Sequence, residues 1–291
     1  MGRSSLARKV PTSQMSQGGK GVGPTIDRAC WRRLVPQHRI AYGRRWGAAR
    51  GVRSEGPILD VALANLIIAA GAAAQAAIGM GLNLFAVPLL ALIDPVYVPG
   101  PVLVHGFLLS CLASLRLRES IDVRELGLAL IGLVAGTVAA AILLMWVASE
   151  QLPRLLGLFV LAAVALSAVG YQITPTTRTL LAASSAAGVM GIIAGAHGPP
   201  IALLYQRQSP RRIRSVLLPF FVFSNPIALG ALLIIGKFGW RELCVSALLL
   251  PGLGIGYFVS SWLSQLVSAR IIRACLLAIS AVSGVALVLK G

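Results

Sequence analysis

The chain has 291 residues, of which 57% are hydrophobic and only 12% charged, with a formal net charge of +17. Soluble domains are about one-quarter charged, so this chain has too few charges to solvate a globular surface. That excludes a soluble enzyme, a disordered activator and a disulfide-stapled secreted domain, and leaves a polytopic membrane protein.

The first 55 residues hold 12 of the 26 Lys and Arg and two of the nine acids. They contain no apolar run of seven or more, hence neither a signal-peptide core nor a spanning helix. Gly, Ser, Pro and Arg dominate, a composition that favours disorder. Three readings stand side by side: a start site that lies downstream, near Val52, so that the stretch is not translated; a cytoplasmic tail on anionic lipid; or an organelle transit peptide, although Ser is sparse. Nucleic-acid binding is disfavoured, because Trp31 and Trp46 alone do not make a stacking platform.

Beyond Gly56-Pro57 the character changes, and Val61 to Ile93 contains no Asp, Glu, Lys or Arg. Apolar segments run near 58–78, 82–93, 101–115, 125–147, 153–170, 179–196, 199–205, 215–235, 242–263 and 271–289. They are continuously apolar and rich in Ala and Leu, without the alternation a barrel strand needs, so all are read as helix. The fold class is therefore an all-α polytopic membrane protein with about 8–10 transmembrane or half-spanning helices. Small-xxx-small pairs at Gly132/Gly136, Gly191/Gly195 and Gly252/Gly256 predict close helix contacts.

Crossing the bilayer core takes about 20 residues, and 82–93, 101–115 and 199–205 fall short. The first and third follow Gly-rich breaks, "IGMGLN" from Ile78 and "GAHGPP" from Gly195. Such breaks free backbone groups that must be buried in protein or face a wet cavity. The chain also repeats: "RELGLAL" from Arg124 returns as "RELCVSAL" from Arg241, and "RLLGLFVLAAVALS" from Arg154 as "RIIRACLLAISAVS" from Arg270. Two related halves, 56–178 and 179–291, each with one interrupted segment, form the pattern in which two breaks meet and build a transport site. An inverted five-plus-five arrangement is preferred, and the loop 206–214, with four Arg and no acid, is expected on the cytoplasmic side.

No nucleophile elbow, zinc-protease helix or P-loop is present. Cys30, Cys111, Cys244 and Cys275 are scattered, and two membrane histidines make a poor metal site, so no catalytic residue, metal or cofactor is expected. What remains is polar residues inside apolar segments: Gln75 and Asn83 flanking the first break, His105 with Ser110 and Ser114, His197 in the second break, and Ser224-Asn225-Pro226 interrupting 215–235. Each is either glue between helices or part of a pathway. Gln75, Ser110 and Ser224 lean to glue and His197 to function. No Lys, Arg, Asp or Glu lies deep in a segment, which disfavours a cation carrier. An anion could instead be held by backbone N–H groups at half-helix starts, with Asn, Ser and His beside them.

The stretches "GAAAQAAIGMGLNLFAVPLLALIDPVYVPGPVLV" (Gly71 to Val104), "SSAAGVMGIIAGAHGPPIALLYQ" (Ser184 to Gln206) and "LLLPGLGIG" (Leu248 to Gly256) resemble the sulfite exporter TauE/SafE family, the four-toluene-sulfonate uptake permeases, over about residues 58–290. The resemblance implies an inner-membrane permease with two related halves that moves small sulfur-containing or carboxylate anions. It also implies that Gly79, Gly81, Gly198, Pro199 and Pro200 occupy the glycine-rich breaks of the substrate site. Where many members carry three or more glycines after the first segment, only Gly79 and Gly81 match here, followed by Leu82-Asn83. Asn83, Asn225, His105 and His197 are added from position alone.

The expected function is a secondary transporter of a small anion, sulfite or an organosulfonate. Protons are the candidate coupling ion through His105 or His197, since histidine titrates near neutrality. A passive anion channel and a non-transporting assembly partner are the alternatives. The interrupted segments argue against the latter, because a scaffold needs no backbone break in the bilayer. The expected partners are the anion, membrane lipid and protons, and not nucleic acid.

Overall fold

The computed structural model describes residues 57–79, 81–115, 122–148, 150–168, 174–205, 208 and 210–290. The basic tail and its three readings lie outside them, as does Arg207 of the arginine loop. The described residues form helices α1 (Pro57–Ile78), α2 (Leu82–Ile93), α3 (Gly100–Ser114), α4 (Val123–Trp146), α5 (Leu152–Ala168), α6 (Thr177–Ala194), α7 (Gly198–Tyr205), α8 (Pro210–Ile234), α9 (Trp240–Leu248), α10 (Leu250–Leu266) and α11 (Ala269–Lys290). Six stretches are long and apolar enough to cross a membrane, and α9 with α10 makes a seventh if counted as one bent span.

The exterior shows that the surrounding solvent is lipid. Trp146, Phe258 and Leu289 are 86%, 78% and 81% exposed, while Gln75, His105, Thr137, His197, Ser224 and Asn225 are buried. Apolar outside and polar inside reverses the arrangement of a water-soluble domain.

Three segments differ from the sequence reading. The stretch 101–115 is not too short, because a 3-10 turn at Pro95–Tyr97 precedes α3 and the two together run 20 residues, Pro95–Ser114. The Asp94 carboxylate starts that turn by accepting the Val96 N–H at 2.9 Å. The segment 242–263 is not one helix but α9 and α10, bent by 45° at Leu249. Pro251 brings no N–H and crowds the carbonyl four residues back, which favours a bend at this point. Asn65 of α1 serves the groups this bend releases: its Oδ1 accepts the Gly252 N–H at 2.8 Å and its Nδ2 donates to the Leu248 carbonyl at 3.3 Å. Finally, Ser224-Asn225-Pro226 does not interrupt its segment, since α8 runs unbroken through Pro219 and Pro226. Asn225 Nδ2 donates to the Phe221 carbonyl at 2.7 Å, giving that carbonyl a side-chain partner one turn back.

The helices pair across the chain. α1 packs along α10 and α6 along α4; α3 lies on α8 and α5 on α11; α2 rests on α11 and α7 on α5. Exchanging α1–α5 for α6–α11 in chain order reproduces each of these pairings. The sequence repeat falls on the same correspondence, with R-E-L opening both α4 and α9. The two longest contacts depend on small residues. A Cβ at Gly132 or Gly136 would strike the Leu181 or Ser185 carbonyl of α6, and one at Gly252 or Gly256 the Asn65 or Ala69 carbonyl of α1. In lipid, where apolar burial between helices gains little, such close approach is what holds them together.

Candidate substrate site

Two backbone breaks define the site. Gly81, ahead of α2, has φ +127°, and Gly195, closing α6, has φ +65°. Both values lie in the region that side-chain-bearing residues rarely adopt, which is why each break carries glycine. After them the chain restarts as the short helices α2 and α7. Gln75 spans the first break, its Oε1 accepting the Leu82 N–H at 3.0 Å, so it caps α2 while also lining the cleft at the breaks. Asn83 joins the breaks, its Nδ2 donating to the Gly195 carbonyl at 2.9 Å across 112 residues of chain.

A cleft opens where the breaks meet. Gly81, Asn83, Gly195, Ala196, Gly198 and Pro199 line it from the breaks, Gly106 from α3, Phe221 and Asn225 from α8, and Leu276 and Leu277 from α11. The starts of α2 and α7 both face it, each carrying about half a positive charge from its aligned peptide dipoles. Their supply of hydrogen-bond donors is smaller than the breaks alone suggest. Pro199 and Pro200 bring no N–H to the first turn of α7, and Gln75 already holds the first N–H of α2.

The expected residues divide accordingly. Gly81, Asn83, Gly198, Pro199 and Asn225 line the cleft, whereas Gly79, Pro200, His105 and His197 are not among its walls. Gly79, at φ +90°, shapes the first break from behind. The His197 ring is 1% exposed and turned against Gly191, where a Cβ would overlap it. Neither of its nitrogens makes a hydrogen bond of good geometry. The Nδ1 of His105 contacts the Pro101 carbonyl of its own helix at 2.6 Å, and the ring lies beside the Ser246 and Leu249 backbone at the α9–α10 bend.

Reading the segments from sequence missed Arg273. It opens no motif and sits one turn inside α11, yet it lines the cleft, with Nη2 donating to the Ser167 carbonyl at the end of α5 at 2.6 Å. The available signal was the departure of "RIIR" from its repeat partner "RLLG", an Arg in place of Gly157. Away from the cleft, Glu125 at the start of α4 accepts from the Tyr205 hydroxyl, which ends α7, and from Arg212 Nη2 of α8 at 2.5 Å. This cluster ties the far end of the second half-helix to two spanning helices.

The sequence matches the family model described as "Sulfite exporter TauE/SafE" over residues 63–287. Neither the curated proteins nor the solved structures contain a match.

Proposed function

The chain belongs to the sulfite exporter TauE/SafE family, and from that premise we propose that it is a secondary transporter of sulfite or a small organosulfonate across the inner membrane. The observation that carries this reading is the meeting of two half-helix starts and one arginine at a single cleft. Two partial positive charges and a guanidinium suit a small oxyanion, and among the described residues no carboxylate lines the cleft to repel it. Residues 56–178 and 179–291 act as two repeats that rock about the cleft, with α2 and α7 as the matching halves of the site. His197, held between the cleft-lining Ala196 and Gly198, and His105, beside the α9–α10 bend, are the groups that would couple protons to this movement.

The test is uptake into proteoliposomes of labelled sulfite, sulfoacetate, thiosulfate, acetate and phosphate, with and without a pH gradient. Saturable, selective uptake of a sulfur oxyanion, driven above its equilibrium level by the gradient, is expected. Arg273→Gln should raise KM for sulfite by about tenfold with kcat little changed, as for a charge that captures substrate before it moves. His105→Gln with His197→Gln should abolish the response to the gradient. Flux that never accumulates substrate would make the protein a channel, and uptake restricted to cations or neutral solutes would refute the reading.

A further inference from the structure

The floor of the cleft holds two amides whose orientation the backbone dictates. Asn83 Nδ2 faces the Gly195 carbonyl and Asn225 Nδ2 faces the Phe221 carbonyl. A carbonyl only accepts, so turning either amide over would set oxygen against oxygen. Both Oδ1 atoms are thereby left pointing elsewhere, and neither has a hydrogen-bond partner although both are buried. They converge over Gly106: a Cβ built there would lie 2.9 Å from Asn83 Oδ1 and 3.1 Å from Asn225 Oδ1, with Asn83 Nδ2, already bonded to the Gly195 carbonyl, also at 3.1 Å, so the oxygens are within about 6 Å of each other. Asn225 is only 2% exposed, and all three residues line the cleft. A buried acceptor without a donor is costly, and here two stand together on residues that line the cleft.

We propose that these two oxygens select the cargo, and that the cargo is a monoanion carrying its own O–H or N–H beside the charged oxygens. The inference rests on the anion-transport reading above and narrows it. A fully deprotonated oxyanion has nothing to donate and would be repelled by both amide oxygens. A hydrogen oxyanion such as hydrogensulfite donates to the Asn83–Asn225 pair and leaves its charge to the half-helix starts and Arg273. A site with fixed buried acceptors discriminates against an analogue that lacks the donor, because binding the analogue leaves those acceptors unpaired. The absent side chain of Gly106 is part of the same arrangement, since even a methyl group would occupy the space between the oxygens.

Sulfamate and methanesulfonate separate this chemistry from pH. Both are monoanions of similar size at neutral pH, and only sulfamate carries N–H donors beside its sulfonate oxygens. In proteoliposomes at fixed pH, sulfamate should compete with labelled sulfite about tenfold better or more than methanesulfonate. Asn225→Leu should bring the two competitors to within about twofold of each other, and Asn83→Ala gives the same reading should the leucine variant fail to insert. Equal competition in the wild type, or methanesulfonate the stronger, overturns the proposal while leaving sulfite transport standing. A full sulfamate preference in both variants removes the assignment to these residues. Absence of sulfite uptake, with neither anion competing, removes the transport reading and this one with it.

Discussion

The tripeptide Arg-Glu-Leu opens both α4 and α9, and the two halves put it to different use. Glu125 turns outward to the Tyr205 hydroxyl and Arg212 of other helices. Glu242 turns back and accepts the N–H of Gly239 at 2.9 Å, capping its own helix. The helices that follow differ in the same sense. α4 runs unbroken for 24 residues. Its counterpart bends at Leu249 and relies on Asn65 of α1 to serve the groups the bend releases. At the other long contact Ser185 of α6 merely adds a bond to the Gly132 carbonyl at 3.0 Å. Similar sequence thus goes with similar packing, but the polar ties were placed separately: an ion-paired cluster joins α4 to α7 and α8, while caps serve the α9–α10 bend.

Substitution should do the most damage at the glycine contacts. Gly136→Val would drive a side chain into the Ser185 main chain and should cost about 3 kcal/mol or more, seen as loss of monodisperse protein after detergent extraction. Gly254→Val, on a helix face with nothing within 4 Å, should behave as wild type. A destabilised Gly254→Val alongside an intact Gly136→Val would mean that the α4–α6 contact is misplaced.

Glutamate substitutions sharpen the comparison further. Glu125→Ala removes a charged partner from both Tyr205 and Arg212 and should cost about 2 kcal/mol. Glu242→Ala removes a single cap bond and should cost about 1 kcal/mol or less. Thermal melts in one detergent would rank them, and equal losses would deny the asymmetry. The smallest expected difference separates Asn65→Ala, at about 1 kcal/mol with two backbone groups orphaned, from Ser185→Ala, at about 0.6 kcal/mol or below. Reversal of that order would show that the bend is held by Pro251 alone.

Much of the site was legible before the fold. "IGMGLN" and "GAHGPP" announced the breaks because glycine and proline inside an apolar run leave few other conformations. Asn83 and Asn225 stood out as amides in apolar surroundings. Arg273 did not, because a cation one turn inside a terminal helix looks like a flank until α5 and α11 are packed together. His197 lies differently from what its place in the break suggests, its ring packing against Gly191 behind the cleft-lining Ala196 and Gly198.

Local composition, and the backbone groups each residue type can supply, were enough to show a membrane-embedded, helical chain with two glycine-rich breaks. That the two breaks share one cleft, that Arg273 reaches it and that two unpartnered amide oxygens come together over Gly106 emerged from the packing of the helices. Those relations join residues more than a hundred positions apart, and which carbonyl an amide must face is settled by the helix packed against it rather than by its neighbours in the chain.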